Sequence, residues 1–232
     1  MMIKRIATWV IGLAVVGVLA VSVAYMGIVE VGARNEKPAM QNELGRWYEE
    51  GIWFHQANKE KATDWYLKAA ESNYAKAQYN LGVLLKKQGN YTEAAHWYQR
   101  AAEQEFAAAQ NNLGVLYSEG LGVKKNRKKA IYWYKKGAEN GHKIAQYTLG
   151  LAYMSGKGVA IDRKRGLYWI HKSADQDFAH AQGYLALLYA KGEGVGVDLA
   201  KALLWAKKAH SNGDSKAAET IKLIEKQIQD RG

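Results

Sequence analysis

The side chains that bind metal ions are sparse in this chain of 232 residues, which has six histidines and no cysteine. No two histidines lie four residues apart, and none has the glutamate spacing of a metalloprotease helix. A zinc site needs three or four ligands at defined spacing. We therefore predict no metal site, and the lack of cysteine excludes disulfides and thiol catalysis.

Two glycine-rich segments have the composition of phosphate-binding loops. A dinucleotide loop follows a strand and opens a helix, whereas residues 192–196 join two predicted helices. In the other segment, Gly158 stands where a phosphate loop needs a serine or threonine after Lys157. We predict that both segments are turns and that the chain has no cofactor. Nucleophile-elbow and Ser-x-x-Lys motifs are also missing, so we predict no catalytic residue and no enzyme.

Basic side chains form the densest cluster of functional groups. Residues 121–232 carry 21 Lys/Arg against 10 Asp/Glu, whereas residues 36–120 carry 9 against 11. Such a basic edge could bind an acidic protein, an anionic lipid or nucleic acid, or be a solvated face that keeps the protein soluble. No base-reading module accompanies the charge, which disfavours nucleic acid. The edge comprises Lys124, Lys125, Arg127, Lys128, Lys129, Arg163, Lys164 and Arg165.

An internal repeat supplies the elements that position these groups. Its landmark leucines are spaced by 37, 32, 36 and 36 residues, and in each unit a glutamine lies three residues before the leucine. A tryptophan recurs in the second half of each unit, flanked by small residues. We predict that this tryptophan row fills the core between repeats. The leucines are Leu44, Leu81, Leu113, Leu149 and Leu185, and the tryptophans are Trp65, Trp97, Trp133, Trp169 and Trp205.

Each repeat divides into two segments with helical periodicity, separated in three units by a Gly-x-Gly-Val turn. Asn126, Asp162 and Asp198 follow these turns and suit helix N-caps. One helical hairpin cannot bury its large side chains alone, so the hairpins must stack. The pattern therefore predicts an all-α, helix-turn-helix repeat solenoid.

The N-terminus predicts membrane targeting. Residues 6–29 carry no charge and would span roughly 36 Å as a helix, after a tail at residues 1–5. We predict one transmembrane helix, then a linker at 30–37, with the protein single-pass in the inner membrane and its repeats in the periplasm. The alternative is a signal peptide cleaved after Ala24, which would release a soluble periplasmic or secreted protein.

These rows of residues resemble the Sel-1-like repeat family, relatives of the tetratricopeptide repeat. The resemblance covers residues 39 to about 220, with five repeats starting near 39, 76, 108, 144 and 180 within residues 38–220. A capping helix is predicted at 216–230. The resemblance implies a superhelix whose first helices line a concave, partner-binding face. At the positions of this chain that match the outward positions of those first helices, the residues are Lys76, Tyr79, Val83, Asn111, Val115, Tyr147 and Leu151.

Two hypotheses about function follow. The first is a membrane-tethered, non-catalytic scaffold in the cell envelope that binds a protein or peptide, with no small-molecule substrate. The second is a cell-envelope enzyme or enzyme accessory, related to beta-lactams or peptidoglycan by family analogy. For Tyr79 and Tyr147 the alternative to partner binding is packing against neighbouring helices.

Overall fold

The computed structural model describes residues 21–52 and 55–230. Throughout these residues the ordered elements are helices, and no strand occurs among them. The chain forms two compact units that divide between Leu84 and Leu85. The predicted all-α repeat fold is confirmed. Helix α1 is described over residues 21–34, and it is followed by α2 (Pro38–Glu50), α3 (Lys59–Glu71), α4 (Ala75–Lys87), α5 (Tyr91–Glu103), α6 (Ala107–Glu119), α7 (Arg127–Glu139), α8 (Lys143–Ser155), α9 (Arg163–Ala174), α10 (Ala179–Lys191), α11 (Leu199–Ser211) and α12 (Ala217–Gln229).

In the second unit, successive helices pair as hairpins that bury the repeat leucines. Helix α6 packs against α7, α8 against α9, and α10 against α11. Leu113, Leu149 and Leu185 are fully buried at these contacts. The predicted N-caps are confirmed, because Asn126, Asp162 and Asp198 each accept a hydrogen bond from the backbone N–H three residues later.

The tryptophan row is only partly in the core. Trp133 and Trp205 are buried, at 8% and 9% exposure, whereas Trp65, Trp97 and Trp169 are half-buried, and Trp65 and Trp169 pack at the edge of the core. The next residue along the chain occupies the deeper position, because it is rotated by about 100° around the helix. This deeper row comprises the buried Tyr66, Tyr98, Tyr134, Ile170 and Ala206.

In the first, third and fourth repeats, the glycine after the repeat leucine makes room for this deeper row. A Cβ atom on Gly114 would lie 2.7 Å from the ring of Tyr134, and one on Gly150 would lie 2.6 Å from Ile170 Cγ1. In the last repeat the glycine is replaced by Ala186, and the large side chain opposite is replaced by Ala206. The Leu-Gly pair is therefore a packing motif that permits close approach of the two helices of a hairpin.

A glutamine ladder connects successive repeats of the second unit. Each buried glutamine donates from Nε2 to a backbone carbonyl eight residues upstream, at the end of the preceding helix. Its Oε1 accepts from an amide 30 residues downstream, at the end of the second helix of the same repeat. The ladder thus adds a side-chain donor to carbonyls at a helix end, each of which also accepts a hydrogen bond from a backbone N–H of the following turn. Its bonds are Gln110 to Ala102 O (3.0 Å), Gln146 to Ala138 O (3.1 Å) and Gln182 to Ala174 O (3.0 Å), with Asn140, Gln176 and Asn212 as the downstream donors.

In the first unit, α1 packs as the second helix of a repeat does. Gln41 donates to Ala33 O at 3.3 Å, as Gln78 donates to Ala70 O at 3.1 Å. Val29 and Ala33 are buried against Leu44 and Trp47. The backbone then turns through Glu36 at φ 58°, as it turns through Asn73 at φ 59° after α3.

The structure therefore differs from the sequence pattern at residues 30–37, where a linker is predicted. Residues 30–34 continue α1, and a left-handed turn leads directly into α2. The sequence pattern misses this half-repeat because Ile28 replaces the landmark tryptophan of the later repeats. Most of the predicted transmembrane segment, residues 6–20, lies outside the described residues. Within residues 21–52 and 55–230, no helix combines the length and apolarity needed to cross a bilayer.

Candidate partner-binding site

The glycine loops of the second unit begin where the first helix of a repeat ends. Gly120, Gly156 and Gly192 cap α6, α8 and α10 in the left-handed conformation, with φ of 75–79°. The second glycine of a loop then approaches the second helix of the preceding repeat. A Cβ atom on Gly158 would lie 3.2 Å from Arg127 Cβ. The loops therefore bring the basic first turn of α7 beside the next repeat.

A cavity of about 810 Å³ opens at this place, entirely within the second unit. Its apolar lining comes from α7 and α8, and its cations come from the loops and the first turns of α7 and α9. Carboxylates and hydroxyl groups complete the wall. The lining consists of Ala130, Ile131, Leu151, Ala152 and Met154; Lys125, Arg127, Lys157 and Arg163; Glu119 and Glu193; Ser118, Tyr134, Thr148, Ser155 and Tyr184; and Gly192 and Gly194.

The electrostatics of the cavity favour a negatively charged ligand. Among the described residues, none of its four cations has a carboxylate within ion-pairing distance, whereas Glu193 lies 3.8 Å from Lys191 Nζ. Burial raises the pKa of Tyr134 to about 12, although its hydrogen bond with Ser118 opposes the shift. The cavity therefore offers unpaired positive charge.

Tyr184 also lines a second, smaller cavity of about 370 Å³. Tyr147 lines this second cavity, and its ring meets the edges of Phe178 and Tyr184 with centroids 5.5 and 6.2 Å apart. Tyr147 is half-buried, so it both packs against these neighbours and keeps part of its ring accessible. We call the residues that line these two cavities, with Tyr184 common to both, the Tyr184 groove.

The structure brings together two residue sets that the sequence presents as separate candidates. Leu151, from the predicted concave face, lines the same cavity as Lys125, Arg127 and Arg163 of the basic edge. The other basic-edge residues are exposed outside the lining; Lys129 lies over the ring of Tyr117, and Arg165 pairs with Asp162 at 3.2 Å. These remaining residues are Lys124, Lys128, Lys129, Lys164 and Arg165.

The other predicted concave-face residues do not line these cavities. In the first unit, Lys76 is exposed and lies 3.7 Å from Glu43, and Tyr79 and Val83 are half-buried. In the second unit, Val115 packs at the edge of the core. Asn111 is only 5% exposed, and its Oδ1 has no hydrogen-bond partner in the part of the chain that the structure describes. A partner can therefore reach Asn111 only if its neighbours move.

Sequence reasoning missed several lining residues. Tyr134 and Tyr184 belong to repeat rows that the sequence does not distinguish from core, and Glu119 and Glu193 are single acids beside glycines. Lys157 could have been predicted from the sequence, since it lies between two turn glycines and turns lie at the surface. In the described part of the chain, no group of three or more potential metal ligands occurs.

Comparison with known proteins identifies the family. The Sel1 repeat model matches five consecutive segments, residues 38–74, 75–106, 107–142, 143–178 and 179–214. The chain belongs to the Sel1 repeat family. Members of this family are in general helical scaffolds for protein-protein interaction.

Solved structures of Sel1 repeat proteins have the same fold. A Sel1 repeat protein from Oxalobacter formigenes is 40% identical, with a TM-score of 0.73, over 80% of this chain and 75% of that one. The protective antigen c5321 of uropathogenic Escherichia coli is 31% identical, with a TM-score of 0.79, over 84% of this chain but only 42% of that one. A search of curated proteins finds no match.

Proposed function

We propose that this Sel1 repeat protein is a non-catalytic scaffold that binds a protein or peptide partner in the Tyr184 groove. The observation that carries the proposal is that two cavities of the second unit have Tyr184 in common in their linings. A surface of this kind, with apolar, aromatic and hydrogen-bonding groups in a row, suits an extended peptide better than a compact small molecule.

We also propose that the chain is tethered to the inner membrane, with its repeats in the periplasm. The support is the uncharged run at residues 6–29, which follows Lys4 and Arg5. Because Val29 is buried against the repeats, the membrane-spanning part would be residues 6–24, about 28 Å as a helix. This length still matches a hydrocarbon core of roughly 30 Å.

Site-specific photocrosslinking tests the partner-binding proposal. A benzophenone amino acid is placed at Tyr184 in the full chain, inside the cells that produce it. We expect a discrete crosslinked protein. The matched control places the same group at Tyr132, which is 53% exposed and outside both cavities. Equal crosslinking at the two positions, or none at Tyr184, would contradict the proposal.

A further inference from the structure

The first turns of α7 and α9 carry cations where helices normally favour acids. Arg127, Lys128 and Lys129 open α7, and Arg163, Lys164 and Arg165 open α9; neither first turn contains an acidic residue. The N-terminus of a helix already carries partial positive charge, so each such cation is electrostatically unfavourable. An anionic ligand at this place would remove part of this repulsion.

Two of these six cations differ from the rest in their surroundings. Arg127 and Arg163 line the 810 Å³ cavity, together with Lys125 and Lys157 from the loops. Apolar atoms of Ile131, Leu151 and Met154 lie in the same wall. Unpaired cations beside an apolar wall provide binding groups for a carboxylate and for an apolar side chain at once.

The acids in the lining exclude a uniformly anionic ligand. Glu119 and Glu193 share the wall with the cations. A nucleic-acid backbone or an anionic bilayer presents closely spaced negative charge and would meet these carboxylates unfavourably. A peptide can alternate charged with apolar side chains and so avoid the two glutamates.

Building on the proposed function, we propose that the cavity binds an acidic peptide segment of the partner. In this segment Asp or Glu flanks an apolar residue. The carboxylates contact Arg127 and Arg163, and the apolar side chain packs against Leu151 and Met154. The chain of the peptide then continues past Tyr184 into the second cavity.

Peptide display tests this inference. A random-peptide library is selected on the full chain in detergent, and we expect enrichment of sequences with Asp or Glu next to an apolar residue. The double variant Arg127→Gln/Arg163→Gln should bind the enriched peptides at least about ten-fold more weakly. The control is Lys128→Gln/Lys164→Gln, which removes the same charge from the same turns outside the cavity. The control should leave affinity within about two-fold.

Further arms identify the source of the charge and separate the two proposals. The enriched peptides are tested with an amidated C-terminus and with Asn/Gln in place of Asp/Glu; loss only in the latter assigns binding to side-chain carboxylates. The inference is overturned if the selection does not enrich acidic peptides, or if both double variants weaken binding equally. It is also overturned if phosphatidylglycerol vesicles or single-stranded RNA bind more tightly than the enriched peptides. A crosslink at Tyr184 in any of these cases leaves the proposed function standing.

Discussion

At the scale of single residues, helix packing in this protein depends on pairs of complementary size. A glycine faces a large side chain in the hairpins of the third and fourth repeats, whereas alanine faces alanine in the fifth. In an unpacked helix, replacing glycine by alanine is stabilising by about 1 kcal/mol. In a filled core, an added methyl group is destabilising by about 1–3 kcal/mol. The environment of the glycine therefore decides whether alanine stabilises or destabilises the protein.

We predict that Gly114→Ala destabilises the protein by about 1–2 kcal/mol, because the new methyl group would overlap the ring of Tyr134. In a Tyr134→Ala background the same change should stabilise by about 1 kcal/mol, since only helix propensity then remains. Denaturant unfolding of the two single variants and the double variant measures this reversal. Destabilisation of equal size in both backgrounds would show that Tyr134 does not restrict position 114.

His142 is a second residue with a local role, as the N-cap of α8. Its Nδ1 accepts a hydrogen bond from the Ala145 N–H at 3.3 Å. Burial, and next the charge of Lys143, lower the pKa of His142 below its ordinary value of 6.5. Protonation would remove this acceptor and put positive charge at a helix N-terminus. The unfolded chain binds the proton more readily, so stability falls as the pH falls from above 6.5 through the lowered pKa.

We therefore predict that His142→Asn, which keeps a cap acceptor that does not titrate, reduces the loss of stability between about pH 7.5 and pH 5.5. Thermal unfolding at the two pH values measures the change. The parent protein, measured at the same two pH values, is the reference. An unchanged loss in His142→Asn would mean that other groups produce all of it.

The sequence predicts some of these residue roles and misses others. The N-caps Asn126, Asp162 and Asp198 follow from their type and their position after a glycine turn. The deeper row at Tyr134 and Ile170 does not, because tryptophan and tyrosine are adjacent and both are large. Only the packed helix shows which of the two side chains faces the neighbouring helix. The cavity could not be predicted from the sequence either, because its wall combines residues from three repeats.

At the scale of helices, the glutamine ladder fixes how each repeat joins the previous one. The sequence displays the glutamines in a regular row, but their bonds reach residues 8 and 30 positions away in the chain. Pattern alone therefore cannot assign their role. The small residues beside them and the buried carbonyls explain why a polar side chain is retained in this core.

We predict that Gln146→Ala lowers the free energy of unfolding by about 1–3 kcal/mol, because Ala138 O keeps only its backbone donor and the Gln176 amide loses its acceptor. Replacing the exposed Gln227 of α12 by alanine serves as the control and should change stability by less than about 0.5 kcal/mol. Both values come from denaturant unfolding. Similar small effects at the two positions would mean that the ladder does not contribute to stability.

Helix α1 offers an equally direct comparison between its two faces. We predict that Val29→Asp destabilises the first unit by about 3–5 kcal/mol, because Val29 is fully buried and the new carboxylate would have no partner. Val31→Asp, two residues further on and 57% exposed, should cost less than about 0.5 kcal/mol. Proteolysis of both full-length variants in detergent reports the difference. Equal resistance to protease would show that α1 is not part of the repeat fold.

At the scale of the whole molecule, repeats and composition were enough to predict an all-α solenoid, and the family comparison agrees. The half-repeat formed by α1 was not predictable in this way, because its side chains also suit a membrane helix. One apolar run thus fits two environments, lipid for its first part and protein core for Val29 and Ala33. Whether this run stays in the mature protein depends on whether the chain is cleaved after Ala24.

We predict that the full chain stays with the membrane fraction after alkaline carbonate washing and needs detergent for extraction, since residues 6–24 are uncharged and long enough to span. Sequencing of the mature N-terminus is the companion measurement. A chain that begins at Tyr25 would replace the anchor with a cleaved signal peptide. Val29 and Ala33 would remain, so the first unit should fold in either case.

The glutamine contacts give the protein a direction of assembly. Within each unit, the carbonyl that a glutamine requires lies eight residues earlier in the chain, and in the first unit α1 supplies it for Gln41. The amides that complete the ladder in the second unit likewise bond to residues already made. A chain that emerges from the ribosome or a translocation channel N-terminus first therefore always presents the acceptor before the donor. Each new repeat can dock as soon as it appears.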